Sequence, residues 1–178
     1  MEQMPYLIYL GLLSKSGSME MEIMGIETKT ITDKAEKRRI ARSVLVALPD
    51  WFGNTAARDN YICDCMDLPF YAAFDEDRPV GFICMKETGK DTAEIHVMGV
   101  LQEYHRKGIG KKLFEKAKSA SIQFGYSFLQ VKTVQMGRYE DYDKTNLFYR
   151  ALGFKEFEVF PSLWDEANPC QVYVMSLE

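Results

Sequence analysis

The chain has 178 residues, 47% of them hydrophobic and 27% charged, and a formal net charge of −4. That is the length and composition of one soluble domain with its own core. The acidic balance makes general nucleic-acid affinity unexpected, and the apolar run Pro5–Leu13 is too short to span a bilayer.

No lysine or arginine precedes Pro5, which argues against a signal peptide. Met19, Met21 and Met24 follow closely, so residues 1–20 read as an N-terminal extension, either an over-long start or an appended strand. Residues 21–178 read as a single domain, with no internal repeat and no low-complexity linker.

Ile26–Thr32 alternates and predicts a strand. Thr32 or Asp33 can cap a helix from Lys34 that stops near Pro49. "WFGN" reads as a turn, and Thr55–Met66 as a second helix stopped by Pro69. The period then changes to two. Phe70–Asp77 and Arg78–Thr88 predict a hairpin, and Ala93–Leu101 a third strand of the meander. After "YHRKGIGKKLF", residues Leu113, Phe114, Ala117 and Ala120 have helical spacing, and Gly125 is a stop. Ser127–Val134 predicts a strand, Asp143–Phe154 a short helix ending at Gly153, and Lys155–Phe160 and Gln171–Leu177 two closing strands around a loop, Pro161–Cys170. The order βααβββαβαββ predicts an α/β (α+β) fold, a mixed sheet with helices on both faces.

Cys63, Cys65, Cys84 and Cys170 have no zinc spacing, and His96 and His105 are the two histidines. Plain reduced thiols in a cytoplasmic protein, and no metal, are expected.

The chemistry gathers at residues 104–114. Gly108 and Gly110 leave room for a phosphate to approach the backbone where a helix begins, and Arg106, Lys107 and Lys111 add positive potential. A P-loop fails, because Lys112 follows Gly110-Lys111 and position 105 is His. A dinucleotide fingerprint fails, because position 113 is Leu and the preceding strand is the fourth in order. A glycine-containing turn with solvated lysines stays open on these residues alone.

The stretch resembles the acetyl-coenzyme A loop of the GNAT superfamily of N-acetyltransferases, [Q/R]-x-x-G-x-[G/A]. Gly108 and Gly110 match, and His105 stands where Gln or Arg is usual. "FYRALGF" (Phe148–Phe154) is similar to the family's F-Y-x-x-x-G-F helix, and the element order from Ile26 to Leu177 also matches. The resemblance implies the GNAT fold, a mostly antiparallel sheet of about six to seven strands, and residues 21–178 as one acetyltransferase domain. It implies acetyl-CoA as co-substrate and a small-molecule or peptide amine as acceptor, attacked directly in a ternary complex. It also leaves room for a homodimer, and for a non-catalytic acyl-CoA sensor on the same fold.

The roles implied are specific. Backbone of Met98, Gly99 and Val100, at a bulge suited to Gly99, would meet the pantetheine arm. His105, Arg106, Lys107, Gly108, Ile109, Gly110 and Lys111 would cradle the pyrophosphate, His105 through its backbone amide. Glu94 matches the family's catalytic glutamate, with His96 two residues on as the other candidate base. Tyr149 matches the tyrosine general acid. The family's usual asparagine position holds Tyr142, and Asn146 lies about one helical turn away, a weaker cofactor candidate.

Overall fold

The structure is a computed structural model that describes residues 25–177, so the expectation for residues 1–20 lies outside it. Seven strands form one sheet in the order β1-β2-β3-β4-β5-β7-β6. They are β1 (Ile26–Thr30), β2 (Phe70–Asp75), β3 (Arg78–Gly89), β4 (Thr92–Val100), β5 (Phe128–Val134), β6 (Lys155–Asp165) and β7 (Asn168–Ser176). The helices are α1 (Lys34–Val46), a short α2 (Pro49–Phe52), α3 (Thr55–Asp64), α4 (Ile109–Gln123) and α5 (Glu140–Ala151).

Local chemistry sets the ends. The Asp33 side chain accepts from the Glu36 amide at the start of α1, and Asn54 does the same for Ala57 at the start of α3. α1 then turns Ile40, Ala41, Val44 and Leu45 into the core, at helical spacing. Where "WFGN" predicted a turn, Pro49 opens the single helical turn of α2, as suits a residue with no amide to satisfy. Pro161–Cys170 is not a loop. Its residues extend β6 to Asp165 and begin β7 at Asn168.

β4 and β5 are parallel, and the other neighbouring strands are antiparallel. A parallel neighbour needs a crossover, which α4 supplies. The β4–β5 ladder pairs Thr92–Ile95 with Phe128–Val131 and then stops. From His96 to Val100, β4 runs on without β5, so the sheet opens into a wedge that points at the start of α4.

The bulge in β4 is not at Gly99. Gly99 pairs in regular register with Phe82, and the extra residue is His96, between Ile95 (opposite Met85) and Val97 (opposite Cys84). Gly99 has a packing reason instead: a Cβ there would meet Val44 Cγ1 and Leu48 Cδ1 at 3.0 Å each. Its absent side chain lets α1 lie close against β4. Gly99→Val should therefore destabilise the fold by about 1–3 kcal/mol through overpacking, read from the midpoint of urea unfolding. An unchanged midpoint would show that α1 can retreat freely.

Cys63 is exposed and Cys65 buried, so the two do point apart, and both are free thiols. Among the described residues no helix is long and apolar enough to cross a membrane, and no group of three or more His, Cys, Asp or Glu is placed to hold a metal.

Candidate functional site

The wedge ends at a helix start built to leave its amides open. Gly108, the residue before α4, is left-handed (φ 79°), and no side chain caps the helix. The first intrahelical bond is donated by Lys112 N to Gly108 O at 3.0 Å. The amides of Ile109, Gly110 and Lys111 therefore have no carbonyl one turn back to bind. Arg106 is also left-handed, at φ 63°, unusual for a residue with a Cβ. Two left-handed residues thus flank Lys107, a backbone pattern of the kind that turns successive N–H groups toward an anion.

Gly110 is needed here for its lack of a side chain. A Cβ would stand 3.1 Å from Phe148 Cζ, so the aromatic at the middle of α5 closes one side of the loop. Arg106, Lys107 and Lys111 are exposed around it. The Lys107 ammonium lies 5.0 Å from the centre of the Tyr104 ring. Lys112 is turned away and donates to the Ile26 carbonyl, so it does not join the three basic side chains at the loop.

His105 behaves differently from the expectation. Its amide donates to the Gln102 carbonyl at 3.0 Å and is not free for a phosphate. Its imidazole Nε2 bonds the Val100 carbonyl at 2.7 Å, and its ring meets Trp51 edge-on at 5.8 Å. The histidine ties the end of β4 to α2. Asn146 is also occupied: fully buried, it donates to the carbonyls of Val134 (2.9 Å) and Tyr142 (2.7 Å) and accepts from the Tyr173 hydroxyl at 2.8 Å. Both amide hydrogens are spent, one within α5 and one on tying α5 to β5, and none is left for a ligand.

Glu94 lies on β4 beside the mouth of the wedge and is buried. Its Oε2 accepts from Gln130 Nε2 at 2.8 Å and from the Lys132 ammonium, both on β5. Its Oε1 makes no hydrogen bond to a described residue. His96 Nε2 bonds Asp64 Oδ2 on α3 at 2.9 Å. The Tyr61 ring packs edge-on against the His96 ring at 5.2 Å, which brings α3 over β4. The Tyr61 phenol is pushed above its ordinary range by burial, then by the neighbouring charges of Glu94, Cys170 and Asp64. Burial raises the Cys170 thiol to about 11.

Tyr149, on α5, is buried between the rings of Phe148 (5.5 Å) and Phe154 (5.9 Å). Its hydroxyl makes no hydrogen bond to a described residue. Burial raises its pKa well above the ordinary phenol value, with smaller contributions from Tyr142 and Tyr61. Tyr142 is itself pushed up to about 12 by burial, and its hydroxyl donates to the Trp51 carbonyl at 2.8 Å. Trp51 Nε1 donates to Thr145 Oγ1 at 3.1 Å, so two hydrogen bonds stitch α2 to α5 across one side of the wedge.

The structure thus brings Glu94, His96 and Tyr149 around Tyr61, with the Arg106–Lys111 loop beyond Phe148. Sequence reasoning missed Tyr61, Asp64 and Lys132. Lys132 carries a readable signal, a charge inside an otherwise apolar strand. Tyr61 and Asp64, three apart on one helix face, signal only that something lies beneath them.

Known proteins share this fold. Residues 67–156, half of the chain, match the family described as acetyltransferase (GNAT) domain. An uncharacterized N-acetyltransferase of Chlorobaculum tepidum is 29% identical over 104 residues, covering 57% of this chain. The aligned region spans 61% of that relative's length. Among solved structures, a GNAT-family acetyltransferase from Desulfovibrio desulfuricans superimposes with a TM-score of 0.75 at 15% identity, over 86% of this chain and 99% of that one. An acetyltransferase from Salmonella typhimurium, solved with its cofactor acetyl-CoA, gives 0.65 at 14% identity, over 86% and 95%. At such identities the structural likeness is one of fold.

Proposed function

Because the chain belongs to the GNAT acetyltransferase family, we propose that it transfers the acetyl group of acetyl-coenzyme A to a primary amine of a small molecule or peptide, by direct attack in a ternary complex. The observation that carries this reading is the uncapped start of α4, with left-handed Arg106 and Gly108, at the end of the wedge between β4 and β5. The Salmonella typhimurium relative with acetyl-CoA bound supports the choice of ligand.

In this reading the amides of Lys107 to Lys111 hold the pyrophosphate, with the Arg106, Lys107 and Lys111 side chains around it. His105 holds the end of β4 in place rather than contributing its amide. The backbone of Met98, Gly99 and Val100, free of β5, meets the pantetheine arm and can supply a donor to the thioester carbonyl.

Glu94 is the base. Anchored through Oε2, it presents Oε1 to the acceptor ammonium, takes one proton and leaves a neutral nucleophile. The amine lone pair attacks the thioester carbonyl, and the C–S bond breaks as the tetrahedral intermediate collapses. The nitrogen sheds its second proton to solvent, the thiolate takes its proton from the Tyr149 hydroxyl, and Glu94 returns its proton to solvent. Tyr149 is reprotonated from solvent, and one proton per turnover is released. His96 is the other candidate, held by Asp64 with Nδ1 uncommitted.

The direct test is calorimetric titration with acetyl-CoA together with thiol release from a panel of amines and basic peptides. Micromolar binding and amine-dependent release are expected. No binding at millimolar ligand would sink the reading, and binding without release would leave an acyl-coenzyme A sensor. Glu94→Gln should flatten the acidic limb of the pH–rate profile, since no carboxylate remains there to lose its proton. An unchanged limb would move the base to His96.

A further inference from the structure

The α3 helix carries a cation, Arg58, that makes no ion pair with a described residue. Arg58 lies on α3, and its Nε is buried with no hydrogen-bond partner among the described residues. Its direction follows from helical spacing. Tyr61, Ile62 and Cys65 stand three, four and seven residues on, so they share its face. Ile62 and Cys65 are buried in the core, and Tyr61 reaches the His96 ring at the mouth of the wedge. Arg58 therefore faces inward one turn before Tyr61. Tyr61, on that same face, also meets the Phe52 ring of α2 edge-on at 6.2 Å.

The carboxylates of α2 and α3 are committed elsewhere. Asp59 faces Arg42 at 3.8 Å, Asp64 takes His96 at 2.9 Å, and Asp50 takes Gln102 at 3.3 Å. An inward guanidinium nitrogen without a partner is costly unless a ligand completes it. A planar fork of donors is matched by an oxyanion, and best by one that can be held two-point.

We propose that Arg58 is the oxyanion-binding residue of the acceptor pocket, so that the acceptor is an amine that also carries a carboxylate or a phosphate. This rests on the acetyltransferase reading above and narrows it, turning the preference away from simple polyamines. The two ends of such a molecule find opposite partners: its ammonium meets the free Oε1 of Glu94, and its oxyanion meets Arg58.

The experiment compares matched acceptors by thiol release: amino acids against their decarboxylated amines, and phosphoethanolamine against ethanolamine. A preference of tenfold or more in kcat/KM for the anionic member is expected, and the pair showing it tells carboxylate from phosphate. Arg58→Gln should lower that ratio at least tenfold. Arg58→Lys, which keeps the charge and loses the fork, should keep part of it, and it carries the comparison if the glutamine variant does not fold. Equal rates for matched acceptors, or a ratio unmoved by both variants, would overturn the proposal while leaving acetyl transfer intact. If coenzyme A binds and no amine is turned over, the transfer reading fails by itself. Calorimetry of the amino acids and phosphoethanolamine on coenzyme A-saturated protein then decides Arg58. Binding that is lost in Arg58→Gln supports the site, and absence of binding to the unsubstituted protein overturns it.

Discussion

Gly110→Glu should raise the dissociation constant for coenzyme A by about 10²–10³-fold, to the edge of detection by calorimetry. Two effects act together. The new Cβ would meet Phe148 at 3.1 and 3.3 Å, so Phe148 or the loop must shift. The carboxylate would then lie among the free amides of the first turn of α4, where it can take them for itself. It would also face the pyrophosphate charge. Two like charges at 4 Å cost about 1 kcal/mol in bulk water and about 4 at an effective dielectric of 20, and this loop lies between those limits. Gly110→Ala separates the parts: it keeps the steric conflict and adds no charge, so a loss of about tenfold or less is expected. If the glutamate variant binds within threefold of the unsubstituted chain, the phosphates are not held at this loop.

The loop could be read from sequence because glycines at a helix start announce a backbone that must be approached closely. Its finer chemistry could not. Arg106 is left-handed without being glycine, which no residue-type rule reveals. The amide of His105 is spent inside its own turn, on Gln102, a consequence of the three-residue helical turn at Gln102–Tyr104.

The order of elements was legible because burial imposes periods. α1 and α4 each bury one stripe, β2 is apolar almost throughout, and β3 is buried from Pro79 to Met85. β6 obeys no such rule. Its residues are exposed on both faces apart from a half-buried Val159, so the pattern carried no period, and Pro161 and Pro169 suggested a loop. The chain pairs around them by carrying extra residues between Phe160 and Asp165.

Register explains most of what the sequence concealed at the site. Gly99 looked like a bulge residue because glycine suits one, but its reason is the contact with α1 and Leu48, more than fifty positions earlier in the chain. The bulge falls on His96 because β3 and β4 lose step there. Lys132 reaches Glu94 only because β4 and β5 are parallel in the register that sets Glu94 beside Gln130. A single sequence without pairing partners cannot supply that register. Glu94 and Tyr149 were visible through local motifs, and the residues between them needed the fold.

Tyr149→Phe should lower kcat by about 10²–10⁴-fold, the range for losing a positioned proton donor, with little change in KM for acetyl-CoA. The substitution removes one oxygen and keeps the ring, so the contacts with Phe148 and Phe154 survive. Because that oxygen makes no hydrogen bond within the described protein, its loss should leave thermal stability unchanged or slightly raised. This pairing of outcomes is the discriminating one: a merely structural tyrosine would lose stability or nothing at all, and would leave kcat within a few-fold. The pH dependence adds a second constraint. Burial disfavours the phenolate, so the folded-state pKa lies above the ordinary value of 10.0. The acid form therefore persists as pH rises, and the unsubstituted protein should show no alkaline limb from this group below about pH 10. Above that, the unfolded chain ionises the phenol before the folded chain does. The fold then loses stability as pH rises further, and the phenylalanine variant should be spared that share of the loss. An alkaline limb near neutral pH that disappears in Tyr149→Phe would contradict the buried, protonated phenol on which the acid role depends.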